Sequence, residues 1–406
     1  MTRDTNVLIV GGGATGAGLA RDLALRGVDV VLVEREALCS GTTGRSHCTL
    51  HSGARYAVEH PEQAAECITE NRILKRIAGH CVERTGGLYA SLPSDPDAYF
   101  EKKLDACGRA GIEAEVISSE QARSDEPALL PAVERTFRVP DGVVYPSRLT
   151  AANAAHARSE GATILPHAEV TDIGVADGHV TVVELDCDGG METVAADHVV
   201  NAAGAWAGRI GAMAGIDIPM RPSKGALVAV ENERVDRVIS RARPPGDADS
   251  VVPIGGELLL GTTSTPVEDP DNVSPEPDAV ERVVEESAAL LPAIASRDVT
   301  RSFWGVRPLY SPTERDDTRS ISRSITLLDH RERDGVEGFT TVVGGKLTTY
   351  RRMAEIAADH VCARLSVSAS CRTADEPLPG ADGPDRLDAY VREFGAASPA
   401  DGAVDQ

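Results

Sequence analysis

The first thirty-four residues place a glycine-rich turn between an apolar strand and a helix. Residues 7–10 are apolar, and Gly11, Gly13 and Gly16 follow with the spacing GxGxxG. Glycines at these positions allow a tight turn, a close approach of backbone amides to a pyrophosphate, and close packing of helix on strand. A second apolar run leads to Glu34, at the distance where an acid binds ribose hydroxyls. A glycine turn without a ligand is the alternative, but the complete order of features predicts a dinucleotide site.

Length and charge restrict the class of protein. A chain of 406 residues can bury two sizeable cores, so we expect two domains. The formal net charge is −22, which disfavours a nucleic acid or an anionic membrane as a direct partner. Only five of the 41 basic residues are lysine, which suggests a halophilic protein kept soluble in high salt. An ordinary acidic enzyme is the alternative.

Cysteine spacing and hydropathy predict neither a metal site nor a membrane span. The eight cysteines include no CxxC pair, so we expect no zinc or iron–sulfur site and no other metal. The chain shows no charged amino-terminal segment with an apolar core, and no apolar run long enough to cross a bilayer. We therefore expect a cytoplasmic chain that contacts the membrane through partners.

Hydrophobic periodicity predicts helices near 61–78, 97–110, 147–159 and 278–291. Two later segments, HVVNAAGAW and GFTTVVGGKLTTY, each run an apolar strand into small residues and a helix start. Both resemble the first turn and suggest returns to the same sheet. Short strands separated by proline-rich and acidic loops between 211 and 338 predict a mostly antiparallel second domain.

Several cationic or imidazole side chains stand beside glycine or small residues. They are His51, Arg55, Arg307, Arg323 and Lys346. On so acidic a protein this pattern suggests an anionic ligand, since the planar guanidinium fork binds two oxygens of a phosphate or carboxylate at once. A surface ion pair is the alternative for any single arginine. Sequence spacing alone leaves open whether the five side chains converge.

Motifs along residues 5–380 resemble those of the FAD-dependent glycerol-3-phosphate dehydrogenases, most narrowly the A-type catalytic component of the anaerobic, multi-subunit form. The stretches that carry the resemblance include GTTGRSHCTLHSGARYAVEH, VPDGVVYPSRLTAAN, RPPGDADSVVP, GTTS, GVRPL and VVGGKLTTYRRMAE. Aerobic single-subunit relatives place a histidine soon after the lysine-glycine that here reads Lys224-Gly225. This chain has none, which favours the anaerobic type.

The resemblance implies an α/β fold with an FAD-binding Rossmann-type domain, like that of D-amino-acid oxidase and glutathione reductase, and a mostly antiparallel substrate domain. The implied divisions are an FAD-binding domain over 1–82, 146–210 and 338–366 and a substrate domain over 83–145 and 211–337. The proline, glycine and aspartate content of 373–406 predicts an acidic, flexible tail. It also implies oxidation of sn-glycerol 3-phosphate to dihydroxyacetone phosphate in glycerol catabolism, with electrons passed to a quinone. B- and C-type partner subunits would hold the chain peripherally at the inner face of the cell membrane. The family's A-type subunits usually continue into a cysteine-rich segment, which these 406 residues do not include.

The matching positions imply roles for individual residues. Residues expected to bind FAD are Gly11, Gly13, Gly16, Glu34, Arg35, Thr42, Thr43, Gly44, Ser46, Val170, Gly204, Gly344, Gly345, Leu347 and Thr348. Arg55, Arg307 and Arg323 would face the substrate, with Arg307 and Arg323 the better phosphate ligands. His51 is the candidate base, because hydride leaves C2 of the alcohol only as the hydroxyl proton departs. Lys346 would stabilise negative charge on the reduced flavin.

Two other functions remain open at this point. The chain could be a flavin-dependent oxidase or dehydrogenase of another small anion, such as an amino acid or a 2-hydroxy acid. It could also be a non-catalytic flavin-binding subunit. Two or three converging arginines would favour a dianionic phosphate over a carboxylate.

Overall fold

The computed structural model describes residues 2–232, 234–274, 276–313, 318, 321–396 and 398–401. Its strands are β1 (Thr2–Val10), β2 (Val30–Val33), β3 (Thr49–Leu50), β4 (Val82–Glu83), β5 (Gly87–Ser91), β6 (Glu115–Ile117), β7 (Arg135–Val139), β8 (Gly142–Val144), β9 (Thr163–Leu165), β10 (Ala168–Ala176), β11 (His179–Cys187), β12 (Gly190–Asn201), β13 (Ser223–Glu231), β14 (Val238–Arg241), β15 (Ser250–Ile254), β16 (Glu257–Gly261), β17 (Thr265–Pro266), β18 (Val299–Arg307), β19 (Ile325–Asp329) and β20 (Phe339–Gly344). Its helices are α1 (Ala14–Leu25), α2 (Pro61–Ile77), α3 (Asp97–Arg109), α4 (Ser119–Asp125), α5 (Pro146–Ser159), α6 (Ala207–Met213), α7 (Pro277–Ala288), α8 (His330–Asp334), α9 (Tyr350–Arg364) and α10 (Pro384–Glu393).

The first sheet carries the glycine turn. β1 pairs in parallel with β2 on one side and with β12 on the other, while β9 extends the sheet beyond β2. The end of β12 pairs in parallel with β20, and its beginning pairs antiparallel with β11. All four residues of β2 are buried, as expected for a parallel strand covered on both faces. The α/β architecture predicted from the sequence is confirmed.

Helices α1, α5 and α9 cover one face of this sheet. Their contact surfaces consist largely of alanine, with Leu19 and Val361 fully buried between them. Small side chains allow the helix axes to approach closely. At Gly18 of α1, a Cβ atom would lie 2.9 Å from the ring of Tyr350, the first residue of α9. This packing fixes the start of α9 beside α1. The turn that precedes α9 is therefore held close to the first glycine turn, which precedes α1.

The second sheet is mostly antiparallel, as predicted. Its strand order is β17-β13-β16-β15-β14-β5-β7-β6, and β18 also pairs with β13. Strands β5 to β7 come from the range 83–145, and β13 to β18 come from 211–337. β19, which lies within the range expected for the substrate domain, instead pairs with β20 in the first sheet. Its Ile325 and Leu327 pack against the core under α9, which explains that placement.

The expected flexible tail over 373–406 requires correction. Within its described part, 373–396 and 398–401, Val391 of helix α10 and Phe394 directly after it are buried in the core formed by α1 and α5. Ser398 donates a 2.8 Å hydrogen bond to the carbonyl of Gly44, and Asp401 accepts a 2.9 Å bond from the backbone of Ser147. Proline and glycine here mark the start of a helix, not disorder. Residues 397 and 402–406 lie outside the described residues.

Truncation of Phe394 provides a test of this packing. We expect Phe394→Ala to lower the free energy of unfolding by about 3 kcal/mol, because a buried aromatic ring is replaced by a cavity. Arg392→Ala, at an exposed position of the same helix, should change it by no more than about 0.5 kcal/mol. Denaturant unfolding at fixed salt measures both values, and equal effects would contradict the packing of α10.

Candidate active site

The first glycine turn has the geometry that its spacing predicts. Gly11 has a φ of +117°, and a Cβ atom there would lie 2.6 Å from the carbonyl oxygen of Ala202. A Cβ at Gly16 would overlap the carbonyl oxygen of Gly11. Gly13 is the N-cap of α1, and a Cβ there would lie 3.0 Å from Oγ1 of Thr43. The amino terminus of α1 lines a cleft, and Oγ1 of Thr43 accepts a 3.1 Å hydrogen bond from the amide of Ala14 there.

This turn opens into a cleft of about 600 Å³, a volume typical of small-molecule and cofactor sites. The predicted cofactor residues that line it are Gly11, Gly13, Glu34, Arg35, Thr42, Thr43, Ser46, Val170, Gly204, Gly344, Gly345 and Leu347. Three others support the wall instead. Gly16 underlies the turn, Gly44 accepts the bond from Ser398, and Thr348 accepts a 3.0 Å bond from the backbone of His51.

Glu34 stands at the outer end of the cleft. Its carboxylate accepts hydrogen bonds from the backbone amides of Gly12, at 2.7 Å, and Glu36, at 3.1 Å. Burial raises the pKa of Glu34, and these two bonds oppose that shift. The bonds fix the carboxylate at the end of β2, where ribose hydroxyls would meet it.

Asp271 lines the cleft at its mouth and was not predicted from the sequence. Asp271 accepts hydrogen bonds from Nε1 of Trp206, at 2.7 Å, and from both terminal nitrogens of Arg35, at 2.6 and 3.2 Å. Arg35 also stacks over the ring of Trp206. Arg35 therefore lines the cleft as predicted, but its guanidinium holds the loop that contains Asp271.

A smaller pocket of about 170 Å³ adjoins the inner end of the cleft and shares Thr42, Gly344 and Lys346 with it. The predicted residues His51, Arg307, Arg323 and Lys346 line this pocket. The five cationic or imidazole side chains singled out in the sequence come from four separate segments. The structure brings four of the five together.

Arg307, the last residue of β18, is held without a carboxylate partner among the described residues. Its Nη2 donates to Oγ1 of Thr262 and to the carbonyl of Thr263, both at 2.8 Å. A Cβ on Gly225 would lie 2.8 Å from the same nitrogen, so glycine is needed there. Withdrawal from bulk water, followed by the charges of Arg323 and Arg55, lowers the pKa of Arg307 to about 9. A cation held among other cations forms a site for an anion.

Arg55 lies beside the pocket and does not line it. Its Nη1 is 3.4 Å from Oδ2 of Asp249. The other oxygen of that carboxylate, Oδ1, accepts a 3.0 Å bond from Nε of Arg243. The expectation that Arg55 faces the substrate directly is thus not supported by this arrangement. Its charge is shared with a buried aspartate, whereas Arg307 and Arg323 have no described carboxylate partner.

His51 has the environment of a neutral imidazole. Burial lowers the pKa of His51 well below its ordinary range, and the charges of Arg55 and Lys346 lower it further. Its ring meets the ring of Tyr56 edge-on, with centroids 5.4 Å apart. An imidazole that stays unprotonated at pH 7 can accept a proton from a bound alcohol.

Lys346 lies where the cleft and the smaller pocket meet. Its Nζ donates to Oε1 of Gln63 at 2.8 Å and to the carbonyl of Arg323 at 3.3 Å. It also lies 4.5 Å from the ring centroid of Tyr56. Lys346 directly precedes the turn Leu347–Thr349 that leads into α9, so a fixed positive charge stands at the inner end of the cleft.

Two buried polar atoms of the cleft have no hydrogen-bond partner among the described residues. They are Oγ of Ser46 and Nε1 of Trp304. Unpaired buried donors are costly, and a bound group with acceptors along the cleft would satisfy them. Together with the glycine turn and Glu34, they fit a long, polar dinucleotide.

The fold and the cleft define a flavoenzyme. The family described as FAD dependent oxidoreductase (DAO) matches residues 6–351. The glycerol-3-phosphate dehydrogenase from Bacillus halodurans, solved in complex with FAD, has the same fold. It is 23% identical, with a TM-score of 0.72 over 96% of this chain and 71% of that chain. FAD is therefore the cofactor, as expected from the sequence.

Two relatives identify the branch of the family more closely. Both are A-type components of anaerobic glycerol-3-phosphate dehydrogenases. The A1 component from Haloferax volcanii is 51% identical over 98% of this chain and 70% of the relative. Its counterpart from Escherichia coli K12 is 47% identical over 94% of this chain and 72% of the relative. This chain belongs to the family of anaerobic glycerol-3-phosphate dehydrogenase A-type subunits. Both relatives are named as subunits of multi-component enzymes. Across the described residues, no helix combines the length and apolar character needed to cross a membrane.

Sequence reasoning missed three further residues around the smaller pocket. Thr262 and Asp249 lie in the stretches GTTS and RPPGDADSVVP, which carried the resemblance without an assigned role. Gln63 gave no signal beyond being a polar residue in the first turn of α2. Each of the three contacts a predicted site residue that is distant from it in sequence.

Replacement of Gly16 tests the first turn. We expect Gly16→Ala to purify with at most about a tenth of the parental flavin, because the new methyl group overlaps the carbonyl of Gly11 and opens the turn. Gly108→Ala is the matched control, since no atom lies within 4 Å of that Cβ in α3 and alanine favours a helix by about 0.5–1 kcal/mol. Visible absorbance per chain measures flavin content. A fully yellow Gly16→Ala protein would refute the role of the turn.

Proposed function

We propose that this chain oxidises sn-glycerol 3-phosphate to dihydroxyacetone phosphate and passes the electrons to a quinone, as a step of glycerol catabolism. The observation that carries the proposal is the small pocket at the inner end of the FAD cleft. There Arg307 and Arg323 share one lining, and no described carboxylate pairs with either. Two guanidinium groups without a described carboxylate partner match the charge and the oxygen geometry of a phosphate dianion.

The cofactor would lie along the cleft. Gly11, Gly13 and Glu34 would hold its adenosine diphosphate half, and Thr42 and Ser46 would contact its flavin half. When bound, FAD supplies a two-electron acceptor for the hydride.

The smaller pocket would hold the substrate and handle its proton. Arg307 and Arg323 bind the phosphate and orient C2 toward the cleft. His51, being neutral, accepts the proton of the C2 hydroxyl as the hydride leaves C2. The charge of Lys346 stabilises the negative charge that accumulates at the inner end of the cleft. One proton goes to His51 and one hydride to the cofactor, so the alcohol becomes a ketone.

Anaerobic mixing of the purified yellow holoenzyme with glycerol 3-phosphate tests the proposal. Loss of the visible flavin absorbance is expected, with formation of one dihydroxyacetone phosphate per flavin. Lactate and glycine are the comparison substrates and should leave the absorbance unchanged. Bleaching by either of them but not by glycerol 3-phosphate would favour an enzyme of another small anion. A flavin unchanged by every substrate would favour a non-catalytic binding subunit.

The proposal extends to partners. Electron-transfer subunits of the B and C type would receive the electrons and hold the chain at the inner face of the cell membrane. Fractionation of the native cells at their own salt concentration tests this step. The chain is expected in the membrane fraction when the partners are present and in the supernatant when they are deleted. Membrane association without them would contradict it.

A further inference from the structure

Gln63 connects three segments of the active site through one buried side chain. It lies in the first turn of α2 and is 7% exposed. Its Nε2 donates to Oγ of Ser322 at 2.9 Å and to Oγ of Ser324 at 3.1 Å. Its Oε1 accepts the 2.8 Å bond from Nζ of Lys346. The two serines flank Arg323, so one amide contacts the segments that carry two of the pocket's cations.

The two segments directly precede β19 and follow β20, and Gln63 links both of them through its side chain to α2 as well. The carbonyl of Arg323 accepts a bond from Lys346, and the carbonyl of Ser324 accepts a 3.2 Å bond from the backbone of Gly345. These bonds join the segments to each other. α2, seventeen residues long, packs against the turn Leu347–Thr349 and provides the fixed support.

The amide group suits this position chemically. It donates and accepts at the same time and carries no charge. A carboxylate would accept from Lys346, but it would add a negative charge beside the cations that an anion must meet. An apolar side chain of similar size would leave Lys346 and both serines without this partner.

We infer that Gln63 is a positioning residue, which sets the places of Arg323 and Lys346 and keeps the small pocket positively charged. The identity of the substrate rests on the proposed function. The effect of Gln63 on anion binding does not require that the chain oxidise glycerol 3-phosphate.

The test is the affinity of the FAD-loaded protein for inorganic phosphate, measured by isothermal titration calorimetry. We expect Gln63→Glu to weaken phosphate binding about 30-fold, since a unit charge acts over a few ångströms in a partly buried site. Gln63→Met should weaken it about fivefold through lost positioning alone. Gln121→Glu, on the exposed start of α4, makes the same charge change and preserves the N-terminal cap, so it should bind like the parent.

A double variant removes the two serine hydroxyls that Gln63 contacts. Ser322→Ala with Ser324→Ala removes both acceptors of Nε2 without a charge change and is expected to match Gln63→Met. This double variant still tests the inference if the Gln63 variants fail to fold. Parental phosphate affinity in Gln63→Glu, or in the serine double variant, would overturn the inference. Failure of glycerol 3-phosphate to bleach the parent, with the affinity changes intact, would reject only the proposed function.

Discussion

Arg307→Ala is expected to lower kcat/KM for glycerol 3-phosphate at least about a hundredfold. Its guanidinium has no described carboxylate partner, and removal of one side of a desolvated charge pair costs about 2–5 kcal/mol. Arg307→Lys should recover little, because an ammonium group cannot bind two phosphate oxygens in a planar fork. Stopped-flow reduction of the flavin over a range of substrate concentrations gives the values.

Arg301→Ala is the matched control for that experiment. Arg301 lies on the same strand, β18, but pairs with Glu257 away from the pocket. We expect the kcat/KM of Arg301→Ala to stay within about twofold of the parent, because Arg301 does not line the pocket. Arg323→Ala should behave like Arg307→Ala, and neither variant should oxidise a 2-hydroxy acid instead. An Arg307→Ala enzyme with parental kcat/KM would exclude phosphate binding by this residue.

His51→Gln is expected to slow flavin reduction at saturating substrate by about 10²- to 10⁴-fold, the usual contribution of a general base. Phosphate affinity should stay within about threefold, because the arginines that bind the anion are unchanged. His47→Gln, on the other side of β3, is the control. Nε2 of His47 lies 3.0 Å from the carbonyl of Leu259, a bond that a glutamine amide can replace. Near-normal reduction in His51→Gln would remove it as the base.

The pH dependence of the parent follows from the direction of the His51 shift. Because the pKa of His51 is lowered, its neutral form persists as the pH falls through 6.5, and the base is lost only under more acidic conditions. The rate at saturating substrate should therefore stay flat between pH 8 and 6. The phosphate group of a monoester gains a proton near about pH 6, which weakens binding and lowers kcat/KM there. A fall of the saturated rate centred at pH 6.5 would contradict a depressed His51 pKa.

Local features of the fold were predictable because their causes are local. The glycine turn, and the helices that became α2, α3, α5 and α7, follow from spacing and periodicity within one segment. The packed segment around α10 was missed for the opposite reason. Its proline, glycine and aspartate content is typical of disorder, whereas Val391, Phe394 and Ala396 tie it to a core built by distant helices.

The site was predictable residue by residue but not as an arrangement. The pattern of cations beside glycine or small residues predicted Arg307, Arg323 and Lys346, which do share a pocket. The sequence could not reveal that Arg55 is engaged by Asp249, 194 positions away, or that Gln63 meets Lys346, 283 positions away. Such pairs depend on how two sheets are set together, which no local pattern encodes.

The bond between Ser398 and Gly44 has a consequence for biosynthesis. It joins residues 354 positions apart, and the loop of Gly44 walls the cleft at its flavin end. During translation that loop is made early, but its bond to Ser398 cannot form until almost 400 residues have been made. Contacts so distant in sequence form late in folding. The wall of the FAD cleft is thus complete only once the segment around Ser398 has been made.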